Sequence, residues 1–388
     1  MIPRQIEKEI RQLMKGFPII ALTGPRQSGK STIVKEIFGD VYTYVSLEDL
    51  DTREFAKTDP RGFLAEYRTK IIFDEIQQVP ELFSYLQGVV DEDQMPGQFI
   101  LTGSQHFLLL EKITQSLAGR VAMLHLLPLS LSEIRAVNLD SFTLEEGMYR
   151  GFYPNLFTKE VEVNKWYSNY IQTFVERDLR TIKNIHDLGT FQRFLRMCAA
   201  RTGQLVDYTS IGNDCGITHT TVKSWLNLLE ASFIVYFLRP HYSNFNKRLV
   251  KNPKLYFYDT GLLCHLLNIQ SPDQLKTHYL KGGIFESFVF SEILKARFNQ
   301  GILNPIYFWR DHKGREIDCI VEEDGNLLSI EVKSGKTVVK DFFQGLNYWN
   351  QLANGNPKNS YLIYGGDKSY KRKEANVLSW KDLVHLTG

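Results

Sequence analysis

Gly24-Pro25-Arg26-Gln27-Ser28-Gly29-Lys30-Ser31-Thr32 is the stretch from which the fold of this chain is read. It fits G-x-x-x-x-G-K-[ST], and its flanks suit that pattern. "IIAL" before it reads as a short strand, and "STIVKEIF" opens a helix with apolar residues at helical spacing. Gly24 and Gly29 can take backbone angles that turn N–H groups inward, so loop and helix N-terminus make a nest for an anion. Lys30 adds a charge suited to terminal phosphates, and the Ser31 hydroxyl is suited to Mg2+. Residues 24–32 are expected to hold a nucleoside triphosphate.

A phosphate cradle alone hydrolyses nothing. "KIIFDEIQ" is a second apolar strand, ending in Asp74-Glu75. Placed beside the loop, it puts Asp74 on the magnesium and Glu75 where it polarises an attacking water. The Asp-Glu pair favours ATP chemistry over that of small GTPases. A third strand, "GQFILTGS", ends in hydroxyls, of which Thr102 or Ser104 would sense the γ-phosphate or orient the water. Arg120 follows a glycine in "SLAGRVAMLHLLPLS". It reads either as an arginine finger reaching a neighbouring subunit's ATP or as a structural arginine.

The 388 residues, 43% of them hydrophobic, suffice for roughly two to four packed domains. Lys and Arg number 46 against 44 Asp and Glu, so any nucleic-acid surface must be local. The four cysteines are scattered without metal-ligand spacing and read as buried or free thiols of a reducing compartment. The N-terminal stretch is charged, unlike a signal peptide, and no window approaches the roughly 18 apolar residues of a membrane helix. A soluble, cytoplasmic protein without membrane contact is expected.

"GPRQSGKST", "IIFDEIQ", "LTGSQ", "LAGR" and "LLPLSLSEI", in that order, resemble the AAA-type ATPases of bacteria and archaea. "KNPKLYFYDTGLLCHLL", "GGIFESFVFSEILK" and "FWRDHKGREIDCIV" resemble the C-terminal region of unknown function that one branch carries. The resemblance covers nearly the whole chain. It implies a P-loop ATPase core, ATP and Mg2+ as cofactors, and a homo-oligomer; it supplies no substrate.

Residues 131–200 are helix-rich by pattern and read as a lid and connector, where Arg177 and Arg180 either approach the nucleotide or are solvated. In "LVDYTSIGNDCGITHTTVKSWLNLLEASFIVYFLRP" a first helix ends at Gly216, and Thr218 caps a second whose Val222, Trp225, Leu226 and Leu229 face a core. This is the helix-turn-helix outline, with "FIVYFL" and "KLYFY" as wing strands. His219, Thr220 and Lys223 are then the exposed side chains for a major groove. The loop between the strands holds Arg239, Lys247, Arg248, Lys251 and Lys254 with no carboxylate, which suits phosphates. A protein-binding winged helix is the alternative.

Toward the C-terminus, "REIDCIVEE" and "GNLLSIEVKSG" read as a hairpin. Glu331 and Lys333 are two apart and share a face, Asp318 comes from the adjacent strand, and Glu286 lies on the preceding helix. D-x(12)-E-x-K with a helical Glu resembles PD-(D/E)xK nucleases, especially of the Holliday-junction resolvase type. That chemistry implies carboxylates sharing Mg2+ and a lysine positioning the nucleophile. A nuclease fold that only binds DNA is the alternative.

The expected fold class is α/β: a P-loop parallel sheet (1–135), a helical lid (136–200), a winged helix (201–268) and a smaller PD-(D/E)xK-like domain (269–388). The expected function is Mg2+-dependent ATP hydrolysis coupled to binding or remodelling of DNA. The alternative is a signalling or defence ATPase whose later domains bind proteins.

Overall fold

Strand β1 (Ile19–Thr23) is buried at all five positions, as a strand covered on both faces must be. Its odd members Ile19 and Ala21 pack with Phe63, Phe73, Leu86 and Phe99. Its even members Ile20 and Leu22 pack with Ile10, Ile33, Val34 and Ile100. Period-two alternation thus feeds two cores, one under the helices Pro60–Glu66 and Leu82–Asp93, the other under Glu7–Leu13 and Lys30–Phe38. Strands β2 (Thr43–Ser46), β3 (Ile71–Asp74), β4 (Phe99–Gly103) and β5 (Val121–His125) complete the sheet, in the order β2-β3-β4-β1-β5, every pair parallel. Strand β4 therefore lies between β1 and β3, so the Asp74 strand is one place further from the phosphate loop than the sequence pattern suggested.

The computed structural model describes residues 2–104, 117–174, 187–241, 251–323, 325–353 and 355–387. Two compact units divide the chain. The sheet above belongs to the first, Met1–Leu129 with Ala231–Phe233 and Arg297–Leu303. The second holds Ser130–Glu230, Ile234–Ala296 and Asn304–Gly388.

In the second unit, Asp207 caps the helix Tyr208–Cys215 by accepting from Thr209 N and Ser210 N, and Gly216 ends it at φ 70°. Thr218 Oγ1 accepts from Thr221 N at 3.1 Å to open the helix His219–Ala231. That helix buries Val222, Leu226, Leu228 and Leu229, and Trp225 packs edge-on against Phe191 and Phe194. Strands β6 (Val235–Pro240) and β7 (Lys254–Phe257) pair antiparallel, and Leu205 bridges to Lys254 as a third member. Helix, bridge, two helices and hairpin follow in winged-helix order.

The hairpin does not end there. The last residues of β6, Arg239 and Pro240, pair with Tyr307 and Phe308 of β8 (Tyr307–Arg310). With β9 (Glu316–Glu323), β10 (Asn326–Lys333), β11 (Ser360–Tyr364), β12 (Tyr370–Lys371) and β13 (Asn376–Ser379) they form one mixed sheet ordered β12-β13-β11-β10-β9-β8-β6-β7. Wing and C-terminal strands, separate by sequence, share one sheet because β6 outruns its four-residue partner and offers its free end to β8.

Candidate functional site

The phosphate loop is built by steric exclusion and a buried arginine. A Cβ on Gly24 would sit 2.1 Å from Leu126 O, and Gly29 holds φ 96°, so both positions require glycine. Arg4 donates to Ser28 O and Leu127 O, both at 2.7 Å, pinning the loop from beneath. Lys30 Nζ lies inside the loop, donating to Gly24 O at 2.9 Å and Pro25 O at 2.8 Å. Ser28 Oγ is buried without a hydrogen-bond partner, an exception that a polar ligand would remove. Pro25, Arg26, Gln27 and Thr32 complete the span, with Gln27 at φ 60°.

Asp74 gathers three hydroxyls. Ser31 Oγ donates to Asp74 Oδ1 at 2.8 Å, and Tyr44 and Thr102 also donate to its carboxylate. Burial, then the hydrogen bond to Asp74, raises the Tyr44 hydroxyl well above its ordinary range, so it remains a donor. A hydroxyl and a carboxylate meeting where the loop opens into its helix are hard oxygen donors that fit Mg2+. Lys30, Ser28 and the loop N–H groups fit a triphosphate.

The two hydroxyls at the end of β4 and just beyond it have separate partners: Thr102 is on Asp74, whereas Ser104 Oγ donates to Glu75 at 3.2 Å. Glu75 stands at φ 55°, directly after β3, and also accepts from the Gln77 amide. Thr102 thus meets Asp74, and Ser104 meets Glu75. Arg120 is partly exposed and pairs with Asp91, its Nη2 donating to Oδ2 at 2.9 Å. Arg4, Tyr44 and Gln77 were missed by motif reading. For Gln77 a signal existed, since it lies within "DEIQ"; Arg4 and Tyr44 carry none at their own positions.

In the second unit, Asp318, Glu331 and Lys333 meet. The β9–β10 register places Ile330 opposite Cys319, so the next pair is Glu331 opposite Asp318, on one face. Lys333 Nζ donates to Glu331 Oε2 at 2.8 Å and Asp318 Oδ2 at 3.2 Å, and Val332 N donates to Asp318 Oδ2 at 2.9 Å. A Cβ on Gly345, in the first turn of the helix Gln344–Ala353, would strike Glu331 Oε1 at 2.2 Å, so that glycine makes room for the carboxyl. Glu286, on the helix Lys281–Asn299, accepts from Tyr256 OH at 2.7 Å.

These charges are set by burial against proximity. Burial, then the charge of Asp318, pushes the Glu286 carboxyl up to about 7 and raises Glu331 well above its usual range. Burial also works to raise Asp318. Lys333 and Lys254, with hydrogen bonds from Glu331 and Val332 N, outweigh it and hold Asp318 low. Lys333 resists the downward pull of burial because both carboxyls face it, and it stays charged. Burial thus favours the protonated form of Glu331, while the neighbouring cations favour the ionised form of Asp318.

Among the described residues no group of three or more carboxylate, imidazole or thiol side chains is placed to hold a metal ion, and the Lys333 ammonium sits against the Asp318 and Glu331 carboxyls. One expectation is corrected. Lys254, read as a phosphate-facing loop cation, is buried and pairs with Glu316. Of the other groove candidates, His219, Thr220, Lys223 and Lys251 are exposed. Lys247 and Arg248 lie outside the described residues, as do Arg177 and Arg180.

The parallel sheet with its glycine-bounded phosphate loop defines a P-loop ATPase of the AAA class. A family model described as an AAA domain matches residues 16–135, and two domains of unknown function match 141–273 and 281–383. The uncharacterised protein Rv2008c of Mycobacterium tuberculosis is 31% identical over 86% of this chain and 74% of its own length. The chain belongs to the same family. An uncharacterised protein of Haemophilus influenzae is 23% identical over 81% of this chain and 82% of its own. Among solved structures, the Walker-type ATPase PABY2304 of Pyrococcus abyssi aligns with TM-score 0.47 and 15% identity, over 69% of this chain and 96% of that one. The Thermotoga maritima RuvB Holliday junction branch migration motor aligns with TM-score 0.29 and 16% identity, over 60% and 88%. Among the described residues no helix is long and apolar enough to cross a membrane.

Proposed function

We propose that the chain is a Mg2+-dependent ATPase that couples hydrolysis to DNA binding, acting as a homo-oligomer. Residues 24–32 hold the polyphosphate, Ser31 and Asp74 hold the magnesium, and Glu75 takes the proton of the attacking water. The bound metal supplies charge neutralisation on the transferred phosphoryl group. Lys30 adds its ammonium, and Arg120, released from Asp91, serves a neighbouring copy.

The DNA reading is carried by one observation: His219, Thr220 and Lys223 are exposed at the N-terminal half of a helix set by a tight glycine turn, with exposed Lys251 near the wing. Asp318, Glu331, Lys333 and Glu286 are the nuclease-like part of the proposal, and their residue set is what supports it.

The test is a panel of single-stranded, duplex, forked and four-way DNA, assayed for binding, ATPase stimulation and cleavage with Mg2+ or Mn2+. Stimulation with a steep salt dependence is expected. Absence of any DNA affinity at low salt overturns the DNA reading and turns the second unit toward protein partners.

A further inference from the structure

A shallow groove of about 600 Å3 lies at the end of the eight-stranded sheet, lined among others by Lys358, Tyr361, Lys371, Arg372, Lys373 and Asn376. Its lining has four cations and no carboxylate. All four are exposed, and no ion pair among the described residues uses any of them. The chain as a whole balances 46 basic against 44 acidic side chains, so this is local segregation.

Lysine on an outermost strand guards against edge-to-edge pairing, and that accounts for Lys371 on the two-residue β12. It does not account for Lys358, which comes from a different turn, or for how the cations are held. The Asn356 side chain accepts from Lys358 N at 3.0 Å, and Asn376 Nδ2 donates to Lys358 O at 2.9 Å. Arg372 N donates to Ala375 O at 3.0 Å, and its guanidinium lies over the rings of Phe343 and Tyr370 at 5.4 and 5.6 Å. Cations whose backbone is fixed in advance lose less freedom on binding. Tyr361 adds an aromatic surface and Asn376 an amide beside them.

On β11 and β13 the groove faces away from the carboxylate cluster, whereas Arg372 packs over Phe343 on the other face. Tyr361 and Asn376 are register partners, whereas Glu331 is partnered by Leu362, the next residue on β11, which points to the other face.

We propose that this groove is a second DNA-contacting surface, gripping the phosphodiester backbone without reading sequence. It rests on the DNA-binding reading above and adds to it a contact far along the sheet from the wing. Four point charges on an open floor suit successive phosphates rather than one small anion.

The experiment measures binding of the full-length chain to a labelled duplex of about 20 base pairs between about 50 and about 200 mM salt. The variant combines Lys358→Ala, Lys371→Ala, Arg372→Ala and Lys373→Ala, with its unfolding temperature measured alongside. Affinity at low salt is expected to fall at least ~10-fold, and the slope of log K against log salt to flatten by about 2 to 4, near 0.9 per lost phosphate contact. Replacing the three lysines by arginine is expected to preserve the slope; its loss there too would overturn a charge-based grip. Native affinity and slope in the alanine variant overturn the groove and leave the DNA reading standing on the native protein's binding. A native chain that binds no duplex at low salt overturns both.

Discussion

The side-chain amide of Gln77 donates to the carboxylate of Glu75, two residues earlier in the chain. Glu75 itself sits in the left-handed region at φ 55°, where a glutamate is rarely found without support. Gln77 and Ser104 hold its carboxylate, one from the turn after β3 and the other from just beyond β4.

Gln77→Ala is therefore expected to lower kcat by about 10-fold, a share of what a positioned general base contributes, while leaving KM for ATP near native. Equal changes in kcat and in equilibrium ATP binding would mean that Gln77 merely supports the fold.

Lys30→Ala and Glu75→Gln are expected to separate binding from chemistry. Removing the Lys30 charge weakens ATP binding and abolishes turnover. The Glu75 amide keeps shape and binding but accepts no proton, with turnover falling by about 10²- to 10⁴-fold. ATP titration beside steady-state hydrolysis checks both, and native turnover in Glu75→Gln would displace Glu75 from its role.

Arg4→Ala removes both hydrogen bonds beneath the phosphate loop and leaves two buried carbonyls to find new partners. A loss of about 2–4 kcal/mol in unfolding free energy is expected, together with weaker ATP binding. Denaturant unfolding and nucleotide titration measure the two effects. Arg4→Lys is expected to recover only part, since one ammonium does not reproduce the fork that reaches Ser28 O and Leu127 O.

Glu286 gives the second unit a pH-dependent stability. Its carboxyl titrates near 4.5 in a reference peptide and near 7 in the fold, raised by burial and then by Asp318, with Lys254, Tyr256 and Lys333 opposing. Between those values the folded state holds more protons than the unfolded one, so stability falls as pH rises through the window and the loss is complete above it. Glu286→Gln is expected to gain about 1–3 kcal/mol relative to native above pH ~7 and nothing below pH ~4.5. Denaturation of both proteins across that range checks the sign. A constant difference would place the Glu286 carboxyl outside this titration.

The sequence by itself determined what depends on neighbours along the chain. The phosphate loop is legible because strand, glycines, Lys30 and helix are contiguous, and a helix N-terminus makes its anion site from consecutive N–H groups. The turn at Gly216 and the cap at Thr218 are legible for the same reason. So is the shared face of Glu331 and Lys333, which follows from the two-residue period of a strand. Tertiary structure alone decided what depends on which strands become neighbours. The insertion of β4 between β1 and β3 brought Thr102 to Asp74. The union of β6 with β8 made the wing part of the C-terminal sheet. Lys254 shows the difference most plainly. In sequence it is one of five loop cations, because net charge along a segment says nothing about direction. In the fold it is the first residue of β7, it is buried, and Glu316 from a different strand supplies the charge that lets an ammonium remain there.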